Sequence, residues 1–221
     1  KIVTDNQKSL LSDIRKEVKL IFEGEGSGHD WWHVYRVTET AVSLAKKESA
    51  NLFLVELSAL LHDLGDHKLF KEENAQEVLI SNLLNKYNCS QKLISEVLDI
   101  VKGVSYKGAK TITNPISLEG KIVQDADRLD AIGAIGIARA FAFGGHHNRL
   151  LYSPEEKVEL HEDFESYKNS KGHTINHFYE KLLLLKDRMQ TNTGKELAKE
   201  RHLYMESFLS QFYKEWNGVI N

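Results

Sequence analysis

The chain is predicted to be all-α. Only two prolines, Pro115 and Pro154, occur in 221 residues. Apolar residues recur at three- and four-residue spacing along most of the length, and no run alternates apolar and polar residues as a half-buried strand does. Hydrophobic residues make up 41% and charged residues 28%, an ordinary soluble composition with ample material for a core. The net charge of −3 argues against a protein that lives by gripping nucleic-acid backbones. One cysteine, Cys89, allows no internal disulfide, so a reducing, cytoplasmic setting is expected. The apolar runs are too short for a membrane span, and no signal peptide is expected.

Taken in order, Leu10, Leu11, Ile14, Val18, Ile21 and Phe22 mark a first amphipathic helix, closed by the glycine-rich run 24–28. A second helix is expected from about His29 to Ser49, with Val37, Ala41, Leu44 and Ala45 on its apolar side. Asn51 is a good N-cap for a third, in which Leu52, Val55, Ala59 and Leu60 face inward and Gly65 provides the stop. The fourth carries Ala75, Val78, Leu79 and Leu83 on one side. Ser90 caps a fifth, borne by Leu93, Ile94, Val97, Ile100 and Val101. After the turn-rich stretch 106–115, a sixth helix begins just past Pro115 and runs through Asp130. The Ala-, Gly- and Ile-rich segment 131–145 suits a tightly packed helix pair. Residues 146–172 are polar and read as a lid, a binding loop or a disordered insert. Thr174 opens a helix through Met189, and Thr193-Gly194-Lys195-Glu196 forms a capping box for the last one, ending near Gly218. No linker divides the chain, so one domain is expected over 1–221, with its core at about 10–145 and C-terminal helices at 173–218.

The chemistry concentrates on three of these helices. In the third, His62 and Asp63 fall at the end of a run that packs Leu60 and Leu61. A charge at the buried end of an apolar helix is costly unless neutralised, and a metal ion does that well. In the sixth, Asp127 falls four residues after Val123 and continues the apolar face of Ile122, Ala126 and Leu129, so it too needs a partner. Asp125 and Asp130, with Lys121 and Arg128, read equally as a solvated, charge-balanced outer side or as part of the functional cluster. In the second, His29 and His33 share a face, and His29-Asp30-Trp31-Trp32-His33 imitates a zinc-protease motif with Asp in place of Glu. The simpler reading of Asp30 is a helix start, with its charge at the positive end of the dipole.

His33, then His62-Asp63, then Asp127, each on its own helix, resembles the HD superfamily of metal-dependent phosphohydrolases. The matching blocks are HDWWHVYRV at 29–37, HDLGD at 62–66 and KIVQDADRLDAIGAIGIAR at 121–139, the last similar to the bacterial stand-alone branch. The resemblance implies a helical bundle with a metal site in its core, held by His33, His62, Asp63 and Asp127. Two imidazoles and two carboxylates leave about two octahedral positions for water and substrate oxygen. That mixed set suits Mn²⁺ first, with Fe²⁺, Co²⁺, Ni²⁺ or Mg²⁺ as further choices. Only His67 lies between Asp63 and Asp127, so one metal is expected instead of two. Asp66 has the position of a proton-handling acid. Arg36, Lys68, Lys121 and His147 are candidates to hold substrate oxygens. The implied activity is cleavage of nucleoside or deoxynucleoside triphosphates with release of pyrophosphate. The alternatives are a nucleoside monophosphate phosphatase, a (p)ppGpp hydrolase, or a non-catalytic regulator that binds metal or nucleotide. The implied partner is a small nucleotide, with neither nucleic acid nor membrane. The sequence is compatible with a homo-oligomer.

Overall fold

Thr4 opens the first helix by a reciprocal cap: its Oγ1 accepts from the Gln7 amide at 3.3 Å while Gln7 Oε1 accepts from the Thr4 amide at 3.0 Å. Helix α1 (Asp5–Ile21) then buries Leu11, Ile14 and Val18. The computed structural model describes residues 3–23, 30–65, 74–104, 115, 117–158 and 172–219, and every regular element among them is helical. Helix α2 (Trp31–Lys47) is capped by Asp30, and α3 (Leu52–Leu61) by Asn51, whose Oδ1 accepts from the Leu54 amide at 3.3 Å. Helices α4 (Ala75–Lys86), α5 (Gln91–Lys102, capped by Ser90) and α6 (Leu118–Asp130) follow.

Among the described residues, the chain falls into two compact units, the first ending at Asp127 and the second beginning at Arg128. In the first, α3 packs against α1, α2 and α5, and its residues 53–55 and 57–61 are all buried. A helix that is apolar all round belongs at the centre of a fold, which is where α3 sits. Helix α4 uses Ile80, Leu83 and Leu84 for its core contacts, whereas Val78, expected inside, is 53% exposed.

In the second unit, α7 (Gly133–His146) is a single helix where a helix pair was expected over 131–145. Gly133 starts it at φ +75°, and the Arg201 side chain fills the space a Cβ would take. The expected helix from Thr174 to Met189 is interrupted at Lys181 (φ −139°), giving α8 (Thr174–Glu180) and a 3₁₀ turn (Leu182–Arg188). His173 caps α8, its ring Nδ1 accepting from the Asn176 amide at 3.1 Å. The last helix, α9 (Asn192–Trp216), is capped by Thr191, whose Oγ1 accepts from the Gly194 amide at 3.0 Å. The Thr193 box is therefore inside the helix and not its start. Helix α9 packs on α7 and on the 3₁₀ turn.

Candidate metal centre

Each donor reaches the first unit's core for a local reason. Asp30 Oδ1 accepts from the His33 amide at 2.8 Å, which fixes where α2 begins and sets His33 in its first turn, on the face of Val34 and Val37. Asp30 is thus a cap, as the simpler reading of that motif had it; His29 lies outside the described residues. At the end of α3 the chain leaves the helix through His62, Asp63, Leu64 and Gly65, the last at φ +75°. The His62 carbonyl accepts from Gln76 Nε2 at 2.9 Å, so the first turn of α4 braces the end of α3. Asp127 comes from α6, beside the buried Val123 and Ala126.

The side chains converge. His33 Nε2 lies 3.3 Å from His62 Nε2, 3.2 Å from Asp63 Oδ2 and 3.4 Å from Asp127 Oδ1. His62 Nε2 lies 3.4 Å from Asp63 Oδ1 and 3.7 Å from Asp127 Oδ1. His33, His62 and Asp63 are buried, while the Asp127 side chain keeps 23% of its exposure, so the cluster opens to solvent on the Asp127 side.

These donors fit one divalent cation. Ligands held at about 2.0–2.3 Å from a common centre are themselves spaced by about 3.0–3.7 Å, the range found among His33, His62 and Asp127. His62 Nδ1 donates to the Ala59 carbonyl at 2.7 Å. In the neutral ring that bond leaves the Nε2 lone pair facing the cluster, the tautomer a ligand needs. Charge tells the same story. Burial pushes the His62 pKa down, but Asp63 and Asp127 outweigh it and hold the imidazole above its ordinary value. Burial pushes the Asp127 carboxyl up, and its bonds to His33 and His62 reverse that to well below the usual carboxylate range.

The other candidates are distributed differently. Arg36 is half-buried one turn after His33 on α2, and Lys121 is half-buried on α6. Asp66 and Lys68 lie outside the described residues. His147 belongs to the second unit, exposed at the end of α7, stacked on Phe143 at 4.0 Å and donating from Nδ1 to the Phe143 carbonyl at 2.9 Å. Of the two readings of the neighbouring acids, the solvated one does not hold. Asp125 is fully buried, and Asp130 is 5% exposed, paired with Arg139 at 2.9 Å. Arg128, 4% exposed, gives its guanidinium to the Arg188 carbonyl. Gln76 is a bracing residue that sequence reasoning missed, and nothing in its local pattern announces it.

A match to the HD domain family covers residues 31–132, the stretch that holds all four donors. YpgQ of Bacillus subtilis is 41% identical over 207 residues, covering 93% of each protein. Among solved structures, a Lactobacillus plantarum protein superposes with a TM-score of 0.82 at 37% identity, over 98% of this chain and all of that one. An HD-superfamily hydrolase from Bacillus thuringiensis gives 0.76 at 42% identity, over 96% of this chain and 98% of its own. YpgQ in complex with ADP gives 0.76 at 37% identity, over 95% and 96%. A helical fold of this kind, with this match, defines an HD-domain hydrolase. The chain belongs to the HD superfamily of hydrolases, and these relatives are bacterial proteins that match it nearly end to end. No helix among the described residues is long and apolar enough to cross a membrane.

Proposed function

We propose that this hydrolase cleaves nucleoside or deoxynucleoside triphosphates between the α- and β-phosphates, using one metal ion. The observation that carries the reading is the convergence of His33, His62 and Asp127, whose ligand atoms lie within 4.8 Å of one another, with Asp63 beside both histidines and Asp127 partly open to solvent. The complex of its relative YpgQ with ADP supports a nucleotide as the ligand class. In this reading the four side chains hold one divalent ion, with Mn²⁺ the first choice for a mixed nitrogen and oxygen set. When bound, the ion supplies a Lewis acid for a phosphoryl oxygen and makes a water easier to deprotonate.

The chain's own groups do the remaining work. The Ala59 carbonyl keeps His62 in one tautomer and one orientation. Asp127, at the open side, leaves room for the phosphate to approach. Arg36 takes the non-bridging oxygens, with Lys121 and Lys68 as further cations for the polyphosphate. Asp66 accepts the proton of the attacking water. The water oxygen bonds to the α-phosphorus, the bridging P–O bond breaks, and pyrophosphate leaves with that electron pair. The cytosol, where such nucleotides are abundant, is the setting this activity implies.

The test is a product assay across ribo- and deoxyribonucleotides with Mn²⁺, Co²⁺ and Ni²⁺. Equal amounts of monophosphate and pyrophosphate are expected. Orthophosphate appearing first, with diphosphate accumulating, would show a terminal phosphatase instead. Inactivity on every nucleotide would leave a regulator. Asp66→Asn is expected to lose about 10²–10⁴ in turnover with metal retained.

A further inference from the structure

We infer that Trp32 is the surface on which the nucleobase stacks, an assignment that rests on the nucleotide reading above. The first turn and a half of α2 carries three large aromatic residues with different fates. Trp31 is 8% exposed and belongs to the core, whereas Trp32 is 59% exposed and Tyr35 39%. The Trp32 ring is not loose. Tyr35 meets it edge-to-face, with centroids 5.8 Å apart at 81°, and Tyr35 in turn leans on the buried Trp31 at 6.4 Å. An indole steadied from one side and left in water on the other is a pre-organised binding face, large in area and low in entropy to order.

Its place on the helix gives the face an occupant. At 3.6 residues per turn, Arg36 is offset about 60° around α2 from His33, and Trp32 about 100° in the same sense. Arg36 and Trp32 are also one turn apart, the spacing at which helical side chains are neighbours. Around α2 the order is therefore a buried metal-site histidine, a half-buried cation and an exposed aromatic ring. A nucleotide presents its parts in the same order: reacting phosphate, flanking phosphate oxygens, base. From a helix of this radius, side chains 100° apart end about 10 Å from one another, a gap that a ribose and one phosphate bridge. Charge complementarity agrees, since Arg36 attracts the polyanion and the indole takes the uncharged end.

Stacking also sets the specificity. An aromatic face reads area and not the donor and acceptor pattern of the base. Trp32 therefore favours purines over pyrimidines and does not separate adenine from guanine.

The test compares ADP with pyrophosphate, which has no base, as ligands of the Mn²⁺-loaded protein, by equilibrium binding. In Trp32→Ala, ADP is expected to bind about 5- to 150-fold more weakly, with pyrophosphate unchanged. Trp32→Phe restores most of the loss, and tryptophan fluorescence falls when ADP binds the parent protein but not Trp32→Ala. Unchanged ADP affinity in Trp32→Ala overturns the assignment and leaves the nucleotide reading standing. So does an equal loss for ADP and pyrophosphate, which marks a disturbance at the phosphate end. A parent protein that binds neither ligand overturns the nucleotide reading itself, and the stacking role with it.

Discussion

Gly65→Ala tests the turn that delivers His62 and Asp63 to the cluster. Gly65 has φ +75°, where an L-residue is disfavoured by about 1–2 kcal/mol. The added Cβ would lie 2.5 Å from both N and Cα of Gln76 and 2.7 Å from the Ala75 carbonyl carbon. Ordinary contact is about 3.5–4.0 Å, so the first turn of α4 must retreat by roughly 1 Å. Those are backbone atoms, and no rotamer change relieves them. Backbone shifts forced on a packed core cost about 1–3 kcal/mol, bringing the total to about 2–5 kcal/mol. That is a large fraction of the ~5–15 kcal/mol by which domains are stable. The same retreat carries Gln76 away from the His62 carbonyl, so metal affinity should fall along with stability. Urea unfolding should show a lower midpoint with an unchanged slope. A contrasting variant is Gly145→Ala, whose Cβ meets nothing within 4 Å; it should gain up to about 1 kcal/mol. A Gly65→Ala midpoint equal to that of the parent would refute the argument from close approach.

Other outcomes follow from the site and its surroundings. Asp63→Ala should lose both bound metal and activity while keeping the helical circular dichroism signal; full metal occupancy in that variant would remove Asp63 from the ligand set. Asp30→Ala should cost about 1 kcal/mol through the lost cap, visible as a lower thermal midpoint, and weaken metal binding because His33 sits in the turn that it fixes. The raised His62 pKa means that a proton competes with the metal to a higher pH than for an ordinary histidine. Metal affinity measured calorimetrically should therefore fall on acidification, starting at a higher pH than for an ordinary histidine ligand, and a flat profile would contradict the charge assignment. His177, held down to about 3 by burial and by Lys181 and Arg149, stays neutral in the folded protein while the unfolded chain protonates near 6.5. Its contribution is complete above about 6.5 and is lost as pH falls toward 3, by up to about 1.4 kcal/mol per unit. His177→Gln should flatten that acid limb in urea titrations at pH 7, 5.5 and 4.5.

What was legible in the sequence was whatever local pattern decides. Asn51 and Ser90 cap the helices assigned to them because an Asx or Ser side chain ahead of an apolar run has one good use. His62, Asp63 and Asp127 stood out as charges at buried positions of two apolar helices, whereas His33 entered the set through the resemblance to the HD superfamily. Errors came where tertiary contacts decide. Asp130 looks like one more acid in a charged run, but its partner Arg139 is nine residues away on the following helix. Thr193 satisfies a capping pattern, yet Thr191, two residues earlier, takes the amide of Gly194, and local spacing does not choose between two threonines. The leucine run at 182–185 continues a helical period across Lys181, where the backbone breaks it.

The cap of α8 differs in kind from the others. Thr4, Asp30, Asn51, Ser90 and Thr191 hold their helices with oxygen, whereas His173 uses the lone pair of a ring nitrogen. Oxygen acceptors of hydroxyl or amide type are indifferent to acidity. A single proton erases the imidazole acceptor and leaves a cation facing the positive end of the helix. Burial keeps His173 below its ordinary pKa, against the opposing pull of Glu156 and the Ser153 backbone, so the bond is secure at neutral pH. Below that threshold the entry to α8 becomes a titratable joint, one that acid loosens while the helices capped by hydroxyl and amide oxygens stay fastened.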